Sequence, residues 1–92
     1  MNQTDTGKRY AQKTAFYLVN ELKPRLERNG ITTDNFWTFV KVEHGVSSRK
    51  DLTELDWVKL AARLLSARKH QTLFEELVDV IKTHQICKEL KE

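Results

Sequence analysis

Glycine, proline and cysteine are scarce in this chain. Three glycines and one proline stand among 92 residues. A β-sandwich or barrel needs many more turn residues than that, so an all-β fold is excluded. No glycine-rich phosphate loop is present, which removes Rossmann and P-loop nucleotide chemistry. The single cysteine, Cys87, cannot close an internal disulfide, and a reducing, cytoplasmic setting fits it best. No apolar run approaches the ~20 residues that span a bilayer. Met1 to Lys8 is polar where a signal peptide would be apolar. No membrane partner is therefore expected.

Catalytic and metal-binding patterns are lacking too. No Ser/His/Asp or Cys/His arrangement can be assembled from the spacing. His84 and Cys87 lie three residues apart and supply two ligands, short of a closed zinc site, while His44 and His70 have no ligand spacing. Lys88 is the only cation beside Cys87, too little to mark an activated thiol. No cofactor, no metal and no enzymatic activity are expected.

What is present is charge and helical periodicity. Charged residues make up 32% of the chain and apolar ones 39%, the profile of a small, polar, folded domain. The net charge of +3 permits nucleic acid as a partner without demanding it. The surplus sits in residues 1–30 and 41–70, each at +3, whereas residues 71–92 carry −2.

Four helical stretches account for nearly the whole chain, with no repeat and no linker. The expected fold is all-α: one domain over 1–92, a compact bundle of four main helices. The first spans about Thr6 to Asn29, capped by Asp5 or Thr6, with residues 1–5 flexible. Ala11, Ala15, Leu18, Val19, Leu22 and Leu26 form its apolar face. Pro24 predicts a kink or break near Lys23, because it removes the bond to the Asn20 carbonyl. Gly30 suits the left-handed position beyond the helix end.

The second helix runs about Thr33 to His44, capped by Thr32 or Thr33 and closed by Gly45, with Phe36, Phe39 and Val40 inward. A turn over Val46–Leu52 contains a short helical turn near 48–52, started by Ser48. Thr53 caps the third helix, about Glu54 to Ala67, with Asp56 three residues on. On its circumference only Asp56, Lys59, Arg63 and Ser66 share a polar arc. Leu55, Trp57, Val58, Leu60, Ala61, Leu64 and Leu65 cover the rest, the pattern of a central helix packed on most sides. In the fourth, a Thr72–Glu75 capping box starts a helix whose inner face is Leu73, Phe74, Leu77, Val80 and Ile81. Ile86 and Leu90 then drift to the opposite side. Either this helix ends near His84, or the tail over 85–92 frays or packs on a partner.

Three surfaces are candidates for binding. Arg49, Lys50, Lys59, Arg63, Arg68 and Lys69 can converge on one phosphate-binding patch, with Ser47, Ser48 and backbone N–H groups near a helix start. The competing reading is a solvated face neutralised by Asp51, Glu54 and Asp56. Tyr10, Lys13 and Tyr17 form a stripe opposite the apolar face of the first helix, suited to stacking on bases or anchoring a protein interface. Otherwise the tyrosines pack against the chain after Pro24. Ile86 and Leu90 mark the third surface, with a weak homodimer as one outcome. Trp37 and Trp57 read as core. A helix-turn-helix reader of base edges is disfavoured, since the third helix has few polar positions and the fourth an acidic face.

The stretch Ile31 to Leu65 resembles a module of small phage and prophage proteins. There a short helix leads into a "GV-S-S/T-x-K-D-L-T" turn and a further helix. Gly45, Val46, Ser48, Lys50, Asp51, Leu52 and Thr53 carry the likeness. It is similar to segments of the Mu-type GemA regulatory family and to tails of phage single-strand annealing and recombination accessory proteins. The resemblance implies a non-enzymatic accessory protein of DNA metabolism that binds nucleic acid or a nucleic-acid enzyme. The alternatives are a protein-binding modulator or inhibitor of a host repair or defence enzyme, and a transcriptional regulator.

Overall fold

The computed structural model describes the backbone of residues 3–91 and the side chains of residues 7–87. It is an all-α bundle: α1 (Gln3–Arg28), α2 (Thr33–Glu43), a 3-10 turn (Arg49–Asp51), α3 (Glu54–Lys69) and α4 (Gln71–Lys91). No strand occurs among the described residues.

Local chemistry sets the boundaries. Beyond α1, Gly30 takes a φ of 80°. Its N–H donates to the Glu27 carbonyl, and the N–H of Ile31 donates to that of Leu26. Gly45, with φ 68°, closes α2 in the same way through Val42 and Lys41. Both are Schellman endings, which need the left-handed backbone that glycine reaches at least cost. The apolar residue after each glycine folds back: Ile31 is buried and Val46 half-buried. At the starts, Thr32 Oγ1 accepts from the N–H of Asn35 and Ser48 Oγ from that of Lys50. Thr53 and Asp56 complete a reciprocal capping box at α3.

Three local expectations are corrected. α1 is helical from Gln3, so Asp5 and Thr6 lie within its first turns rather than capping it. It also runs unbroken past Pro24. That proline is exposed, so the carbonyl it leaves free on Asn20 can turn to water, while Leu22 and Leu26 hold both flanks in the core. α4 starts at Gln71, which puts Thr72 inside its first turn and rules out Thr72 as the cap. The chain reverses at a single residue, His70, and Arg25 clamps the restart. Its guanidinium donates to Gln71 Oε1 at 2.7 Å and lies 4.1 Å from the Phe74 ring centre.

One core joins all four helices. α1 contributes Ala15, Leu18, Leu22 and Leu26, α2 Phe36 and Val40, α3 Trp57, Leu60 and Leu64, and α4 Phe74, Leu77 and Ile81. Burying a side chain of this size stabilises by roughly 1.5–3 kcal/mol. α3 is central in that it packs against both α1 and α4. α1 and α3 run parallel in a constant register. Gly7 abuts the Glu54 carboxylate and Glu21 pairs with Arg68, both at an offset of 47 residues, and just past α3 Arg25 bonds Gln71 of α4.

α3 is nonetheless buried on one side only. Trp57, Leu60, Leu64 and Ala67 face the core, and Leu55, Val58, Ala62 and Leu65 repeat the same spacing on the open side. Three helices cannot surround a fourth in a chain this short, so one apolar stripe stays in water. α4 differs similarly: its buried stripe is Phe74, Leu77, Val78 and Ile81, with Leu73 and Val80 exposed. The helix does not end near His84 but continues to Lys91.

Candidate nucleic-acid interface

Arg49 is the hub of the most positive surface. The Ser48 cap starts its turn and the buried Leu52 anchors the turn's end, so a short rigid piece of backbone presents it. Its guanidinium carbon lies 4.9 Å from the Trp37 ring centre and 5.3 Å from that of Phe16. These two rings are 5.2 Å apart and tilted by 55°. Beneath them Trp57, fully buried, contacts both at 5.6 and 6.0 Å. Trp57 is core, as expected, whereas Trp37 is half-buried and packs against the core from outside.

Cations flank this aromatic cluster on both sides. On α1, Arg9, Tyr10, Gln12, Lys13 and Phe16 line a shallow, mainly apolar depression of about 410 Å³. On α2, Lys41 and Asp34 share a second depression with Trp37 and Arg49. Lys8 Nζ donates to the Lys50 carbonyl at 3.5 Å and ties α1 to the turn. Lys8, Arg9, Lys13, Lys41, Arg49 and Lys50 thus form one band, opposed among the described side chains by Asp34, Asp51 and Glu54, whose carboxylate abuts Gly7. Its surplus of three positive charges equals the net charge of the whole chain, +3. None of the six is within ion-pair distance of a carboxylate among the described residues.

The six cations expected to form one patch are distributed differently. Arg49 and Lys50 belong to the band. Lys59 and Arg63 share a face of α3 beside Glu43 and His44, and Arg63 donates to both Glu43 oxygens at 3.1 and 3.2 Å. Arg68 donates to Glu21, both oxygens at 3.3 Å. At 100° per residue, Arg68 projects about 140° away from Arg63 around α3, and Lys69 lies on the open apolar side. The structure therefore keeps Arg49 with Lys50 and Lys59 with Arg63 as two separate pairs and sets Arg68 and Lys69 apart from both.

Tyr10 and Tyr17 do not pack against the chain after Pro24. They are 76% and 63% exposed, and Lys13 stands exposed between them. Ile86 is exposed on α4, while the side chain of Leu90 lies outside the described residues. Lys8, Arg9 and Lys41 are additions that the sequence reading does not single out. Their signal was available in part: Arg9, Gln12, Lys13 and Phe16 follow i, i+3, i+4, i+7 spacing.

Among the described residues, Asp56 is the one group whose acidity is clearly shifted. The N–H of Thr53 donates to its carboxylate and holds it below the ordinary 3.8, against an opposing effect of partial burial. The Thr53 hydroxyl and His44, whose Nδ1 is 3.3 Å away, add to the lowering. These contacts stabilise the start of α3 and touch no cavity of reactive groups. Among the described residues, no three His, Cys, Asp or Glu side chains gather as metal ligands.

No family model, curated protein or solved structure matches this chain.

Proposed function

We propose that this protein is a non-enzymatic nucleic-acid-binding module whose contacts are led by phosphates. The observation that carries this reading is the band around Arg49, six cations with no carboxylate at ion-pair distance among the described residues, interleaved with exposed or half-exposed aromatic rings. Unpaired Lys and Arg release counterions when they meet a phosphate backbone, which gives affinity without sequence preference. Arg63 and Arg68 would first have to leave their carboxylates, so they are weaker candidates. The likeness of Ile31 to Leu65 to phage accessory modules supports a place in DNA metabolism. Fluorescence polarisation of a labelled oligonucleotide, titrated at low and at physiological salt, tests the reading. Saturable binding that weakens steeply with salt is expected; no binding at low salt would overturn it.

A second reading rests on a different observation. Leu55, Val58, Ala62 and Leu65 leave an apolar stripe open on α3, and the parallel register places Tyr10 and Tyr17 of α1 alongside it. Exposed apolar surface flanked by tyrosines is the composition of a protein-docking face. On this reading the chain is a modulator of another protein. The two readings separate experimentally, because Val58 and Leu65 lie outside the cationic band.

A further inference from the structure

A duplex and a single strand offer different things to a protein. In a duplex the base faces are stacked on one another, and only edges and phosphates are accessible. In a single strand the faces are open, and aromatic side chains can stack on them at about 1–3 kcal/mol per base. The side chains between the cations therefore indicate which form a basic surface receives.

Here they are rings. Tyr10 stands free beside Arg9 and Lys13, at the rim of a depression floored by Phe16. The next ring is Trp37, half-buried, with its face covered by the Arg49 guanidinium. A guanidinium plane is itself a stacking surface for a base. Tyr17 follows Tyr10 by two helical turns, about 10 Å along α1, with Lys13 between them. Ring, cation and ring thus alternate along the helix and again across to the 3-10 turn. Neutral polar side chains able to read base edges are few: Gln12 and Thr38 line the two depressions.

We infer that the band takes single-stranded nucleic acid in preference to duplex, with phosphates on Arg9, Lys13 and Lys50 and bases stacked on Tyr10, Tyr17 and the Arg49 guanidinium that covers Trp37. This rests on the reading that the band binds nucleic acid. It goes further by naming the form bound and the groups that select it.

The test uses the full chain and one labelled 20-nucleotide DNA, single-stranded and annealed to its complement, at the same salt. The single strand binds more tightly. Tyr10→Ala and Tyr17→Ala each weaken it about tenfold, the equivalent of one lost base stack, and change duplex binding by less than twofold. Both tyrosines are exposed, so both variants stay folded. Tryptophan emission is quenched when the single strand binds, and Trp37→Phe removes most of that quenching while keeping a ring in place. Equal or tighter binding of the duplex overturns the inference and leaves phosphate-led binding standing. Tyrosine variants that lose nothing on the single strand overturn it too. Failure of both DNA forms to bind at low salt removes the nucleic-acid reading itself.

Discussion

The Arg49 guanidinium covers the Trp37 ring at 4.9 Å, and this stacking joins the 3-10 turn to α2 across the most positive surface of the protein. A cation over an exposed indole contributes about 0.5–1 kcal/mol. Arg49→Ala is therefore expected to stay folded, with a melting temperature lower by a few degrees. Trp37 loses its cover, so its emission moves to the red and acrylamide quenches it more. An emission spectrum identical to the parent's would show that the pair does not persist in solution.

The two apolar stripes of α3 predict opposite outcomes for the same substitution. Leu64 is fully buried, and Leu64→Asp places an unpaired carboxylate in the core at a cost of several kcal/mol, comparable to the whole stability of so small a domain. Val58 is about half exposed, and Val58→Asp should melt within a few degrees of the parent. Circular dichroism melts of both variants decide the matter. Unfolding of Val58→Asp would mean that the open stripe is covered, as in a self-associated form.

The readability of α3 shows how far sequence carries and where it stops. Its cap was legible because Thr53 and Asp56, three residues apart, satisfy each other locally. The Gly30 and Gly45 endings were legible for the same reason. Its outer face was not. Leu55, Val58 and Leu65 are as apolar as the core, and which stripe is covered depends on how many neighbours the fold supplies. The break expected at Pro24 and the cap expected at Thr72 do not occur, although both have strong local signals. Core packing of Leu22 and Leu26 outweighed the proline, and the Arg25 clamp on Gln71 and Phe74 accompanies a helix start one residue earlier. The candidate site was half legible. Tyr10, Lys13, Tyr17, Arg49 and Lys50 stand out by residue type. Their union with Lys8, Arg9 and Lys41 is tertiary, since it depends on Phe16 and Trp37 meeting beneath Arg49.

Asp56 gives the molecule an acid-sensitive element. Its carboxylate is held below 3.8 chiefly by the Thr53 N–H, so the native state favours the charged form. That contribution is fully present above the unfolded value near 3.8 and is lost as pH falls through the lowered native one. Asp56→Ala should cost about 1 kcal/mol at neutral pH by removing half of the capping box. It should also flatten the fall in stability below pH 4 relative to the parent. Urea melts from pH 7 to pH 3 read both effects, and parallel parent and variant curves would refute the linkage.

Charge reversal separates the band from the dispersed cations of α3. If about four cations of the band meet single-strand phosphates, log affinity falls against log salt with a slope of about −2.8; four duplex contacts give about −3.6. Lys13→Glu combined with Lys50→Glu removes two of those contacts and adds two repulsive charges, on exposed positions that tolerate it. Binding should fall at least a hundredfold and the remaining slope should be shallower. Lys59→Glu with Arg63→Glu makes the same change in net charge elsewhere. Arg63 is already neutralised by Glu43, and Lys59 projects from the same face of α3, beside Glu43 and His44. That pair should lose affinity through long-range repulsion alone, which 0.15 M salt screens over about 8 Å. The two double variants, titrated side by side at 0.15 M salt, should therefore diverge. If they lose affinity equally, the contact surface extends across α3 and the Arg49 band is only part of it. If the α3 pair loses more, the interface is the α3 face and the rings around Arg49 serve the fold.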